Sequence, residues 1–83
     1  MTLHDAIVAM LESENNRGLI AQEIADLNKE KKLYEKKNGK GFPTKGQIRL
    51  RVKNYPGLFR WTPGVQVAPA ESDKIFLAND SRA

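Results

Sequence analysis

The sequence predicts a mainly α fold of three helices closed by a small β-hairpin. Three observations predict it. Apolar residues recur every three or four positions in the first half of the chain, which is the period of an amphipathic helix. Thr44, followed three residues later by Gln47, has the spacing of a capping box that starts a third helix. After Pro56 and Gly57 the period changes to two, as in a strand.

The first two helices are predicted from their apolar stripes. Thr2 can cap the first helix, with Asp5 three residues on, and turn-forming residues 15–18 should end it. Its buried stripe is Leu3, Ala6, Ile7, Met10 and Leu11. The second helix should run from about Ala21 to about Lys31 with Ile24, Ala25 and Leu27 facing inward. Between the helices, Leu19 and Ile20 are expected to form a very short strand that enters the core.

Residues 44–55 have two interpretations. EKKNGKGFP, residues 35–43, is predicted to be a loop because it combines two glycines, a proline and three lysines without periodicity. The next residues alternate apolar and charged side chains, which is typical of a strand. On a helical wheel, however, Ile48, Val52 and Tyr55 share one narrow arc, and a helix also explains the capping box. We therefore predict a helix, with the strand as the alternative.

A hairpin is expected to follow the third helix. Phe59 and Trp61 would share one face of a strand with Arg60 between them, and Lys74 to Leu77 would form its partner. A turn is expected at residues 63–64, and residues 64–73 are predicted to be a loop, with or without a strand fragment. This order is that of a winged helix-turn-helix, three helices closed by a two- or three-stranded antiparallel wing. We expect one domain over residues 1–78 and a flexible tail over residues 79–83.

The charge distribution indicates an anionic partner. The net charge is +4, but from Asn28 to Lys53 there are eight lysines and two arginines against Glu30 and Glu35, a net of +8. The rest of the chain sums to −4. Nucleic acid is the commonest partner of such a cluster. The alternative is a solvated lysine-rich surface without a partner.

Composition and motifs argue against other classes of protein. There is no cysteine, which removes disulfides and thiolate ligands and favours an intracellular location. No apolar run reaches the roughly 18 residues that span a bilayer, and no signal peptide is evident, so we expect a cytoplasmic protein, nucleoid-associated if prokaryotic. No catalytic triad, phosphate loop, metal-ligand cluster or cofactor motif is present, so we expect no enzyme. His4, the single histidine, is expected on the surface.

The candidate DNA contacts combine the outer face of the third helix with the preceding basic loop. In a helix-turn-helix the second helix of the motif enters the major groove, where arginine and lysine suit guanine and amides suit adenine. Lysines of the loop would follow the phosphate backbone, or else serve only solubility. The candidates are Lys36, Lys37, Lys40, Lys45, Gly46, Gln47, Arg49, Lys53, Asn54 and Arg60.

Several neighbours of these candidates have other expected roles. Arg51 lies near the edge of the buried stripe and is expected to form a structural ion pair with Asp26 or Glu23. Leu50 projects outward on the wheel, which indicates either a slightly different register or an apolar contact such as a thymine methyl. Tyr34 and Phe42 flank the basic loop and are candidates for stacking on bases. Glu71 and Asp73 lie in the wing and would repel phosphate, which argues against a wing contact.

The chain also resembles a known family. The run AQEIADLNKEKKLYEKKNGKGFPTKGQIRLRV, followed by FRW and KIFL, is similar to the HARE-HTH domain, a winged helix-turn-helix module. The resemblance covers roughly residues 3–77 and rests on loose patterns. It implies a DNA-linked adaptor without catalysis of its own, attached to a partner or effector domain in restriction-modification, chromatin or transcription. The long, acid-ended wing departs from the pattern.

Two other functions remain open at this point. The same fold could serve as a protein-interaction module that docks an acidic partner or dimerises through its basic surface. The chain could also be a fragment of a restriction enzyme or other nuclease whose catalytic domain lies beyond Ala83.

Overall fold

The computed structural model describes residues 2–35, 41–61 and 68–78, and over these it has three helices and a two-stranded antiparallel hairpin. The predicted turn at residues 63–64 and the predicted tail at 79–83 lie outside the described residues. The mainly α fold with a small β wing is confirmed, and the arrangement is compatible with a winged helix. The elements are α1 (Leu3–Ser13), α2 (Ala21–Lys31), α3 (Lys45–Lys53), β1 (Phe59–Trp61) and β2 (Ile75–Leu77).

Helix α1 begins and packs as its sequence predicts. The Thr2 hydroxyl oxygen accepts a hydrogen bond from the Asp5 backbone N–H at 3.2 Å, which satisfies one of the free donors at the helix start. The five residues of the predicted stripe are all buried. The chain then reverses through Asn15 and Asn16, which both have left-handed backbone conformations with φ of 57° and 53°. Asparagine tolerates this conformation better than most residues.

Asn16 also connects the end of α1 to the sheet. Its side-chain Oδ1 accepts a hydrogen bond from the Leu77 N–H at 2.7 Å, and its Nδ2 donates to the Leu77 carbonyl at 3.5 Å. The amide thus imitates the backbone of a neighbouring strand and pairs with the end of β2. This contact fixes the hairpin against the first helix.

Helix α2 contains one buried polar residue that its apolar pattern does not predict. Ile24 and Ala25 are buried and Leu27 is half-buried, as expected, but Asn28 is fully buried as well. Its Nδ2 donates to the carbonyl of Tyr34 at 2.8 Å, and its Oδ1 accepts from the Tyr34 N–H at 2.9 Å. Both polar ends of the amide are therefore satisfied, which removes the cost of burying them.

Residues 45–53 form a helix and not a strand. The Thr44 hydroxyl accepts from the Gln47 N–H at 3.3 Å, and the Gln47 side-chain oxygen accepts from the Thr44 N–H at 2.9 Å. This is the predicted capping box, and it fixes the start of α3. Ile48 and Val52 are fully buried while Leu50 between them is 56% exposed, so the helical spacing, not the alternation, determined which side chains enter the core.

The hairpin closes the helical core. Phe59 pairs with Leu77 and Trp61 with Ile75, and the aromatic side chains of β1 are buried. Leu19 forms an isolated antiparallel bridge to Ile75 with reciprocal backbone hydrogen bonds of 3.1 and 2.8 Å. The short strand expected at Leu19 and Ile20 is therefore reduced to this single bridge beside the two-stranded sheet.

His4, which was expected on the surface, is only partly exposed. Its ring stacks on that of Tyr55, with centroids 4.0 Å apart and an interplanar angle of 23°. The imidazole is only 19% exposed, and Tyr55 itself packs against the core. Offset stacking of this kind adds to simple area burial and holds the first turn of α1 to the end of α3. Along the described stretches, no helix combines the length and the apolar character needed to cross a membrane.

Candidate nucleic-acid interface

The outer face of α3 is the centre of the candidate interface. Opposite the buried Ile48 and Val52, the exposed central strip consists of Gly46, Leu50, Lys53 and the C-terminal capping residue Asn54. A side chain at Gly46 would meet only the Thr44 hydroxyl at 3.8 Å, so the backbone is accessible at the helix start. All four charged residues of the helix are basic, namely Lys45, Arg49, Arg51 and Lys53.

One flank of this face is covered by the segment that precedes β2. The Lys45 ammonium forms an ion pair with the Glu71 carboxylate. One turn further along the helix, the Nε of Arg49 donates a hydrogen bond to the carbonyl of Pro69, and the Pro69 ring is buried. Arg49 was predicted as a free outward contact, but it is half-buried and held by the chain. Lys45 and Arg49 are four residues apart, so one short segment reaches both of them.

A tight turn positions the acids of this segment. The Asp73 N–H donates to the Ala70 carbonyl at 3.0 Å, and the Asp73 carboxylate accepts from the Ala70 N–H at 2.8 Å. Asp73 therefore serves the turn, while Glu71 faces α3. The hydrogen bond and the positive charge of Lys45, with a smaller contribution from Arg49, lower the pKa of the Glu71 carboxyl below its ordinary value. Glu71 is thus a counter-ion of the proposed interface, not only a source of repulsion.

The other flank of α3 borders a cleft of about 260 Å³. Its apolar wall is formed by Leu3, Tyr34, Pro43 and Leu50, and its polar lining by Gln47, Arg51 and Asn54. The Gln47 oxygen is committed to the capping box. Arg51 is half-buried, and the predicted ion pair with Asp26 or Glu23 is not formed, since Arg51 has no ion pair with any described residue.

The two acids expected to pair with Arg51 have other contacts. Asp26 accepts a hydrogen bond from the Gln22 side chain at 3.0 Å, and Glu23 accepts from the Ile20 N–H at 3.0 Å. Glu23 in this way satisfies a free donor at the start of α2, and acids near helix starts are also favoured by the helix dipole. Their sequence positions suit these local contacts, and Arg51, which borders the cleft, is left without an ion pair to a described residue.

The remaining candidates lie around the helix. Lys53 and Asn54 are exposed at the end of α3. Arg60 is exposed on β1, where its guanidinium lies 4.6 Å from the centre of the Phe76 ring in a cation–π contact. Arg60 therefore already has a partner in the free chain.

Lys36, Lys37 and Lys40 lie outside the described residues, but the chain on both sides of them is anchored. Before them, Asn28 holds the backbone of Tyr34. After them, Pro43 is buried next to the start of α3. Tyr34 and Phe42, the candidates for stacking, are both half-buried, and Tyr34 packs against the core.

Sequence reasoning missed three residues that determine this surface. Asn28 could have been noticed as the polar residue that continues the inward face of α2 four positions after Ile24. Nothing local in the sequence marks Pro69 or pairs Glu71 with Lys45, because both contacts join distant parts of the chain. Over the described ranges, no group of three or more His, Cys, Asp and Glu side chains could hold a metal ion.

No family model matches the chain, and no curated protein or solved structure matches it either.

Proposed function

We propose that the chain binds double-stranded DNA, with α3 in the major groove and the lysine-rich residues 36–40 on the phosphate backbone. The observation that carries this proposal is the charge of α3, whose four charged side chains are all basic and lie on or beside its exposed face. Cations on an exposed helix neutralise phosphates and release counterions, which drives association with DNA.

The geometry of α3 suits this role at its two ends. At its start, the backbone at Gly46 can be approached closely, and unpaired N–H groups of a helix start favour an anion such as phosphate. At its end, Lys53 and Asn54 are exposed without a described contact of their side chains, so both can reach a phosphate or a base edge.

The two basic residues on the covered flank have a different role. Arg49 is held in place by Pro69, so it presents a guanidinium whose orientation is already fixed. Lys45 is neutralised in part by Glu71 and must exchange that carboxylate for a phosphate when DNA binds. Lys53 is therefore the residue on which binding should depend most directly.

The family resemblance supports an adaptor function. A module of this kind would bring an attached effector domain to DNA in restriction-modification or in transcription. It would act in the cytoplasm, and with the nucleoid if the source is prokaryotic.

Fluorescence anisotropy with a labelled duplex tests the proposal over a series of salt concentrations. We expect affinity to fall steeply with salt, and Lys53→Gln to reduce the slope of log K against log salt by about 0.9, the value for one phosphate contact. Arg17→Gln is the matched control, because it removes the same charge from an exposed residue that pairs with Glu14 away from α3.

Two results would overturn the proposal. One is an absence of binding to any duplex at low salt, or an affinity that does not change with salt. The other is an equal effect of Lys53→Gln and Arg17→Gln, which would show that net charge and not the α3 face governs the association.

A further inference from the structure

We propose that the cleft beside α3 is a docking site for a peptide segment of another protein, in which an acidic residue lies next to a large apolar residue. This inference goes beyond DNA binding and does not depend on it. It concerns the flank of α3 that borders Tyr34, whereas Lys45 and Arg49 lie on the flank that Pro69 and Glu71 cover.

The apolar component of the site is the exposed surface of Leu50. Its side chain is 56% exposed, the larger fraction of the two exposed large hydrophobic residues among the described ones. It borders the cleft together with Tyr34, whose backbone is bound by Asn28, and Pro43, which is buried, and these residues form an apolar wall. A cleft of about 260 Å³ accommodates one large apolar side chain, whose entry would remove Leu50 from water.

The charged component is Arg51. Arg51 is half-buried and lines the cleft, and its guanidinium has no ion pair with a described residue. A carboxylate is the group that such a guanidinium binds best, because two parallel N–H donors match its two oxygens. None of the described residues that line the cleft is acidic, so an incoming Asp or Glu meets no repulsion from them.

Polar groups at the rim of the cleft would fix the orientation of a bound peptide. Asn54 and Gln47 border the cleft with amide groups, and such groups bind the backbone of an extended peptide. An apolar pocket with a few polar groups around it is the usual composition of a binding site. A phosphate backbone satisfies Arg51 but leaves the apolar wall exposed, which is why a peptide fits this cleft better than a nucleic acid.

The test begins with a random peptide library displayed on phage and selected against the immobilised chain. We expect enrichment of peptides that carry Asp or Glu beside Leu, Ile, Phe or Trp. The enriched peptide is then synthesised together with a version in which its acid is replaced by the corresponding amide. Titration into the ¹⁵N-labelled chain should shift the amide signals of Tyr34, Leu50 and Arg51, and the amide version should bind about tenfold more weakly.

Matched variants distinguish binding in the cleft from non-specific attraction by positive charge or by exposed apolar side chains. Arg51→Gln and Leu50→Ala should each lower the affinity for the peptide by about tenfold. Lys53→Gln removes the same charge from the same helix, and Leu58→Ala shortens the other exposed leucine, which is 38% exposed. Both controls should leave affinity within about twofold, and thermal melts of all four variants should match the parent.

Three outcomes would overturn the inference. The selection yields no peptide, or yields peptides without the paired acidic and apolar residues. Lys53→Gln lowers the affinity for the peptide as much as Arg51→Gln does, which would show that any positive charge on α3 can bind the peptide. Duplex DNA shifts the same three amide signals and loses affinity in Leu50→Ala, in which case the cleft belongs to a nucleic-acid interface.

Discussion

Lys45 at the start of α3 forms an ion pair with Glu71, which lies in the segment before β2. Because the same segment also binds Arg49 through the Pro69 carbonyl, it lies along the first half of the helix. Glu71 was expected to repel DNA from a protruding wing. Because it lies against α3, it has a different effect. It occupies a lysine that the proposed interface needs, so it competes with phosphate for that lysine.

The first prediction concerns this competition. Replacing Glu71 by Gln removes the counter-ion of Lys45, so we expect the affinity for duplex DNA to rise roughly 3- to 10-fold at low salt. Equilibrium anisotropy at two salt concentrations measures it, and the gain should shrink as salt increases. Glu30→Gln is the control, since it changes the net charge equally at an exposed position of α2. Equal gains in both variants would contradict a specific role of Glu71.

The second prediction concerns the protonation of Glu71 itself. Lys45 lowers its pKa below the ordinary value of 4.5, and Arg49 contributes in the same direction. Because the folded pKa is depressed, the ion pair contributes stability above the ordinary pKa and loses it as pH falls through the folded pKa. NMR titration of the side-chain carboxyl carbon should give a midpoint below 4.5 in the parent. In Lys45→Gln the midpoint should move up towards 4.5, and an unchanged midpoint would contradict the ion pair.

Elements whose signals are local could be predicted from the sequence. The bounds of α2 coincide with those expected, and α3 begins at Lys45, directly after Thr44, the first residue of its predicted capping box. Such signals depend only on residues within one helical turn, so they can be recognised in the sequence without knowledge of the fold. The choice of a helix over a strand for residues 45–53 was also possible, because the capping box requires a helix and only a helix places Tyr55 on the same side as Ile48 and Val52.

Contacts between distant segments could not be predicted. The stacking of His4 on Tyr55 and the pair of Lys45 with Glu71 depend on how α1 and the hairpin pack around α3. A charged residue has many possible partners when only the sequence is known. Arg51 was expected to pair with Asp26 or Glu23, but both acids accept hydrogen bonds from donors close to them in the sequence. The same reasoning did not foresee that Arg49 is half-buried and donates to the Pro69 carbonyl.

The third prediction concerns the buried amide of Asn28. Its two hydrogen bonds hold the backbone of Tyr34, which forms part of the cleft wall. Asn28→Ala removes both bonds and leaves a small void, so we expect a loss of about 2–3 kcal/mol in the free energy of unfolding. Urea denaturation followed by circular dichroism measures it. Asn54→Ala, at an exposed position, should cost less than about 0.5 kcal/mol, and a similar loss in both would contradict the structural role of Asn28.

The fourth prediction separates backbone strain from steric conflict at three glycines. At Gly18, φ is +90° and an added Cβ would lie 2.6 Å from two ring atoms of Phe76, whose other contact is with Arg60. Gly41 has φ of +92° but open space around the added atom, and Gly57 has open space without a positive φ.

The three alanine variants should therefore lose stability in a fixed order. Gly57→Ala should be neutral or slightly stabilising, because it restricts only the unfolded chain. Gly41→Ala should cost about 1 kcal/mol for the positive φ alone. Gly18→Ala should cost about 2–4 kcal/mol, because the Phe76 ring must also move away from the added methyl group. Thermal melts resolve these differences, because each kcal/mol shifts the melting temperature by about 4–8 °C in a domain of this size. Equal losses of stability in Gly18→Ala and Gly41→Ala would show that the Phe76 ring moves away without cost.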